Sequence, residues 1–198
     1  MVDIPLQCRC GRVQGSLSGV NPRGKRRVIC CCESCQRFAR YLGRKEQICD
    51  DFGGTEIVQA TSSQVHIKIG LDRIHCVRLT EKGLYRWYTQ CCHTAIGNTL
   101  GAGVPFMGVI VDFIADKKNL DETIGPVRAI VQSRYASGEH KHDKIYPKFE
   151  PGTFSIGLFK LLIARLQGKH KPNPFFTDEG APIIKPKIYQ GDLKVGAS

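Results

Sequence analysis

Acidic residues are scarce in this chain. Asp and Glu total 18 against 29 Lys and Arg, a formal net charge of +11 over 198 residues. A basic balance of this size invites a nucleic-acid reading. The basic residues are spread out, however. One group is Arg23, Lys25, Arg26 and Arg27, a second is Arg37, Arg40, Arg44 and Lys45, and the rest scatter from His140 to Lys194. None is interleaved with aromatics in a base-stacking pattern. A solvated basic surface accounts for them, with an anionic small substrate or nucleic acid as the partners such a surface could also serve.

Other absences narrow the class further. No apolar run approaches the roughly 20 residues of a membrane span. The longest, Val104 to Ala115, is broken by Asp112, so no membrane partner is expected. Met1 to Pro5 has neither the basic start nor the apolar core of a secretory signal, and no lipidation motif stands at either end. The cytoplasm is the expected compartment. Internal repeats and low-complexity runs are absent. Ten cysteines are too sparse for a small scaffold held only by disulfides, and the chain is long enough to bury a core without them. In a reducing compartment clustered cysteines serve as metal ligands or catalytic thiols.

What is present reads as β over the first 115 residues. Gly11 to Leu17 alternates roughly, and Arg27 to Cys31 enters a cysteine cluster as a strand. Ile57 to Gln59 follows the Gly53-Gly54 turn. Val65 to Ile69 alternates strictly, the period of a half-buried strand. Ile74 to Leu79 and Leu84 to Thr89 flank a Lys82-Gly83 turn, and Met107 to Ile114 is apolar throughout. Short strands at this spacing predict an antiparallel sandwich or folded sheet. One short helix is expected at Ser34 to Leu42. Beyond residue 116 two helices are expected. The first lies between Pro126 and Gly138, with Val127, Ile130, Val131 and Tyr135 at helical spacing. The second has Ser155 as N-cap, Ile156, Phe159, Leu162, Ile163 and Leu166 on an apolar face buried against the sheet, and Gly168 as its stop. Pro172, Pro174, Pro182 and Pro186 mark an extended arm laid over the domain.

Eight of the ten cysteines fall in three knots: Cys8 and Cys10; Cys30, Cys31, Cys32 and Cys35; and Cys91 and Cys92, followed by His93. Zinc takes four S or N ligands in structural sites and keeps one position open in catalytic ones. On a strand Cys30 and Cys32 share a face, and Cys35 returns from the start of the next helix, while Cys31 points away. These three sulfurs form one group with a vacancy. Cys8, Cys10, Cys91 and Cys92 remain for a second site. Cys49 and Cys76 are isolated and read as small core residues. Arg37 and Arg40 on the helix after the second knot could attract a substrate carboxylate or be ordinary surface arginines. Glu33, Asp50 and Asp51 could handle protons or be turn residues. Cys31 or Cys91 could serve as a spare reactive thiol.

Cys8-x-Cys10-Gly11, then Cys30-x-Cys32-x-x-Cys35, resembles the glutathione-dependent formaldehyde-activating enzyme family, whose domain the centromere-protein-V proteins share. Gly70-Leu71-Asp72 through Arg86-Trp87-Tyr88 fits the same pattern. The resemblance covers about residues 5–115 and implies a zinc-binding β-tent fold of folded antiparallel sheets. Residues 116–198 then form an extension of two helices and an arm packed on the same domain. It also implies one structural zinc on Cys8, Cys10 and the last knot, and one catalytic zinc on Cys30, Cys32 and Cys35. The implied activity is addition of a small thiol such as glutathione to formaldehyde, a carbon–sulfur lyase reaction run in reverse. At the last knot the family has Cys-x-x-Cys-Gly-Thr, and here Thr89 stands at the first cysteine and His93 at the glycine. Cys92 takes the last ligand position. The fourth ligand is then Cys91 or His93, or is missing. The alternative function is a non-catalytic zinc-stabilised module that contacts nucleic acid or a protein through its basic surface.

Overall fold

The computed structural model describes residues 1–24, 26–148, 159, 161–189 and 191. The chain is mainly β. Strands β1 (Val2–Gln7), β2 (Gln14–Val20) and β5 (Val65–Ile69) form an antiparallel sheet in the order β1-β2-β5. The second sheet has nine strands, in the order β11-β10-β3-β4-β9-β8-β7-β6-β12. Its central strands are β3 (Arg27–Cys30), β4 (Thr55–Ala60), β6 (Ile74–Arg78), β7 (Tyr85–Thr89), β8 (Ala95–Thr99) and β9 (Met107–Ile110), and they run antiparallel. The alternation of Val65 to Ile69 and the apolar run at Met107 are strands, as their patterns predict. Helix α1 (Glu33–Tyr41) packs Cys35, Phe38 and Ala39 inward, and a short turn α2 (Lys45–Ile48) follows. Among the described residues no helix is long and apolar enough to cross a membrane.

The extension departs from the two expected helices. Residues 127–131 are strand β10 (Val127–Val131), which lies parallel to β3 on one side and to β11 (Ile145–Tyr146) on the other. Val127, Ile130 and Val131 fit helical spacing and strand alternation about equally over so short a run. Three β-branched side chains in five residues and an open β3 edge decide for the strand. Gly125, at φ +100°, turns the chain into it. Arg27 fastens the same junction. Its buried guanidinium meets Glu56 at 2.6 Å, Asp121 of α3 (Leu120–Thr123), and the Gly125 carbonyl at 2.7 Å.

Residues 161–166 are helical and Gly168, at φ +72°, ends them as expected. Ser155 and Ile156 lie outside the described residues. The apolar face is not buried against the sheet: Phe159, Leu162 and Ile163 are exposed, and Leu166 is 80% exposed. The arm beyond does pack on the domain. Phe175 is wholly buried, stacked on Trp87 at 4.9 Å between ring centroids, and Phe176 meets Tyr85 and Trp87 edge-on. Strand β12 (Lys187–Ile188) then adds in parallel to β6. Two apolar cores result. One is centred on Trp87, Leu17, Met107 and Phe113, with Phe175 closing it; the other lies beneath α1 around Phe38, Ile110 and Tyr88.

Candidate metal centres

Two knuckles build the first sulfur group. At the N-terminal one, the chain leaves β1 and turns through Gly11, whose φ is +76°. The Gly11 amide donates to the Cys8 carbonyl at 2.9 Å and the Val13 amide donates to Cys8 Sγ at 3.2 Å. At the other, the turn from β7 to β8 is closed by His93 N–H to the Thr89 carbonyl at 2.9 Å and Thr89 N–H to the Thr94 carbonyl at 3.0 Å. The Arg9 amide donates to Thr94 Oγ1 at 3.0 Å and docks one knuckle on the other.

The sulfurs of Cys8, Cys10, Cys91 and Cys92 all lie within 4.8 Å of one another. Cys8 to Cys10 is 3.6 Å, Cys8 to Cys91 4.0 Å, Cys10 to Cys91 3.3 Å and Cys91 to Cys92 3.8 Å. Four thiolates at bonds of about 2.3 Å around a tetrahedral ion stand about 3.8 Å apart. The group therefore fits a metal ion of that size. Adjacent Cys91 and Cys92 both bring their sulfurs into the group, and the turn continues through His93 in a left-handed conformation, φ 54°, where glycine sits at least cost. His93 itself is exposed and leans toward the Tyr88 ring, and it is not one of the converging ligand atoms. The fourth sulfur converging with those of Cys8, Cys10 and Cys92 is that of Cys91.

Charge is unevenly shared there. Burial works against ionisation of Cys92. The hydroxyls of Thr89 and Thr94 and the Cys10 amide outweigh it and bring the thiol down to about 5. Cys91 is pushed up to about 12 by burial and by the sulfurs of Cys10 and Cys92. A cleft of about 460 Å³ runs beside the group, bounded by Arg9, Arg44, Gln47 and His93. Arg44 is held from behind by Asp112, at 2.6 Å.

The second group forms where β3 runs into α1. The Cys31 amide bonds the Val131 carbonyl of β10 at 3.0 Å, and the Cys35 amide bonds the Cys32 carbonyl at 3.0 Å. Cys30, Cys32 and Cys35 place their sulfurs within 4.8 Å of one another. Cys30 and Cys35 are buried and Cys32 is half-buried. No fourth Cys, His, Asp or Glu among the described residues joins them. Cys31 is fully buried on the other side, and burial followed by the charge of Asp50 pushes it up to about 12. That does not suit a spare reactive thiol. Cys76 is buried, as expected, and Cys49 half-buried beside the Thr55 hydroxyl.

Hydrogen bonds from Cys30 and Cys32 hold the Cys35 thiol well below its ordinary range against the pull of burial, with the positive charge of Arg86 adding to them. Cys30 is correspondingly raised by Cys32 and Cys35. For Cys32 the bond from Cys30 lowers the value, while Cys35 and burial raise it by more, to about 11. The cation reaching this group is Arg86 of β7, with Nη1 4.0 Å from Cys35 Sγ. Arg37 and Arg40 are half-buried on α1. Asp50 is occupied in its own loop, accepting from the Phe52 and Gly54 amides and from His140 Nε2. Arg86 carried one legible signal. It is a lone charge between Tyr85 and Trp87 on a strand, and a charge in such a place needs a partner. A cavity of about 640 Å³ lies elsewhere, between Gly103, Arg165, Lys171 and Asn173, away from both sulfur groups.

Fold and sites together define a mainly β chain with two cysteine clusters that could each hold a metal ion. It belongs to the family of unknown function DUF6151, whose model matches residues 1–186. The match spans both clusters and most of the extension. No curated protein matches the chain.

Proposed function

We propose that the chain is a zinc protein that binds a low-molecular-weight thiol at Cys30, Cys32 and Cys35 and joins it to a small aldehyde. The observation that carries this reading is a group of three sulfurs with no fourth side-chain ligand among the described residues. Three thiolates suit a soft or borderline ion such as zinc, and a vacant position is the mark of a catalytic site. Bound zinc would supply a Lewis-acid position at which an entering thiol gives up its proton. The chain's own residues do the rest. β3 and α1 fix the three sulfurs, and Cys32, the most accessible of them, marks the open side.

The reaction balances without an oxidant. The thiol S–H bond breaks, a carbon–sulfur bond forms at the aldehyde carbon, and the carbonyl oxygen takes up a proton to become a hydroxyl. The four-cysteine group has a full ligand set and fits a structural role, tying the N-terminus to the turn after β7. The spacing of the first two knots, which resembles the glutathione-dependent formaldehyde-activating family, supports glutathione and formaldehyde as the first pair to try. All ten cysteines are free of disulfides, which suits a reducing compartment such as the cytoplasm.

The test is the rate of S-hydroxymethylglutathione formation from glutathione and formaldehyde over the uncatalysed rate. Zinc-loaded protein should accelerate it, and Cys32→Ser should return it to the uncatalysed rate while the protein stays folded. An undiminished rate in Cys32→Ser would refute the reading.

A further inference from the structure

Arg86 is 1% exposed, yet no carboxylate is paired with it among the described residues. The other two buried arginines behave differently. Arg27 meets Glu56 and Asp121, and Arg44 meets Asp112. A guanidinium keeps its proton even when buried, so the charge must be balanced locally. The Arg86 fork donates through Nη1 to Asn98 Oδ1 at 2.9 Å and through Nη2 to Ser34 Oγ at 2.7 Å, both neutral groups. Its Cζ lies 5.3 Å from the centroid of the Phe38 ring. Among the described residues, the one group in contact with the guanidinium that can carry negative charge is Cys35 Sγ, 4.0 Å from Nη1.

Ser34, Cys35 and Phe38 all belong to α1, so one guanidinium spans the strand-to-helix turn that presents the sulfurs. The charges also match. Three thiolates around a divalent ion carry a formal charge of −1, and Arg86 returns the buried cluster to zero. A thiolate entering a fourth position would leave the centre at −1 overall instead of −2.

We propose that Arg86 is a positioning residue and the resident counter-cation of a metal centre on Cys30, Cys32 and Cys35. It holds Ser34 and Cys35 in place and lets the centre accept an anionic thiolate as fourth ligand. This inference rests on the open-site reading of the preceding section.

The two ideas fail separately in one experiment. Cadmium-113 NMR of the loaded full chain should show two thiolate-bound resonances, and Cys32→Ser should delete one and so assign it. Absence of that resonance in the wild type would overturn the open-site reading and the role of Arg86 with it. Given the resonance, Arg86→Met should lose this cadmium to a competing chelator at about 10- to 100-fold lower chelator concentration. The four-cysteine resonance should be unchanged, which reports that the chain is folded. Arg86→Lys, which keeps the charge, should recover part of the loss. Glutathione should shift the three-cysteine resonance in the wild type and need higher concentration in Arg86→Met. Equal chelator resistance in Arg86→Met and wild type would overturn the role of Arg86. Should Arg86→Met lose both resonances by misfolding, Ser34→Ala decides. Ser34 is exposed, and removing its hydroxyl should weaken the three-cysteine cadmium alone by about tenfold, the low end of the same range. An unchanged affinity in Ser34→Ala would overturn the proposal.

Discussion

The Thr89 hydroxyl lies 3.3 Å from Cys92 Sγ and accepts the Thr94 amide at 3.0 Å. A metal-bound Cys92 thiolate can only accept, so with metal in place the hydroxyl donates its proton to the sulfur. Thr89 is thus placed as a donor to a sulfur that could hold a metal ion. Thr89→Val removes the donor and keeps the shape. Metal at the four-cysteine group should be released at about 10- to 100-fold lower chelator concentration. A chelator titration of the loaded protein measures this, and an unchanged curve would show the hydroxyl to be idle.

Cys91, not His93, completes that group. Cys91→Ala should abolish tight metal binding there, and His93→Ala should leave it intact. Metal content per chain after gel filtration separates the two variants. Because His93 sits at φ 54°, His93→Gly should fold at least as well as the wild type, since glycine relieves a left-handed conformation that costs other residues about 1–2 kcal/mol. Equal metal loss in Cys91→Ala and His93→Ala would contradict the ligand set.

Much of this could be read from the chain without coordinates. The three knots carried both sulfur groups, because ligand spacing is local and chemistry restricts which residues can serve. The strand at Val65 to Ile69 followed from local period, and helix α1 was expected directly after the second cysteine knot. Strand β10 was not. Val127 to Val131 is too short for period to decide, and what decided was the β3 edge it pairs with, about a hundred residues earlier in the chain. The fourth candidate ligand was legible only as a choice between Cys91 and His93, since which side chain turns toward the other sulfurs is set by the tertiary fold and not by spacing. Arg86 was visible as a charge in an aromatic strand, but its partner on α1 is a tertiary fact. The helix over 161–166 shows the opposite limit. Its apolar spacing predicted a buried face, and that face is exposed.

The arm is part of the core and not a loose tail. Phe175 is wholly buried against Trp87, the chain's one tryptophan. Phe175→Ala should cost about 3–5 kcal/mol, the usual range for deleting a buried phenyl ring. The urea midpoint should fall, and Trp87 emission should shift to the red as water reaches the indole. A change under 1 kcal/mol would mean that the arm detaches in solution.

Stability should also decline at high pH. Cys76 is buried opposite Trp87, and burial pushes its thiol from 9.0 up to about 12. Once unfolded, the thiol ionises near its ordinary value. Folded, it keeps its proton until about 12. Above pH 9 the unfolded chain therefore holds fewer protons than the folded one, and stability falls as pH rises toward 12. Cys76→Ala should flatten that fall. Urea unfolding on either side of pH 9 checks it, and an equal slope in the variant would contradict the assignment.

The most direct test of the central claim is anomalous scattering at the zinc edge from crystals grown with zinc and soaked with glutathione. Two peaks are expected. One should lie among Cys8, Cys10, Cys91 and Cys92. The other should be bound by Cys30, Cys32 and Cys35, with a glutathione sulfur in the fourth position. No peak at the three-cysteine group, or a peak there whose fourth ligand is a protein side chain, would contradict it.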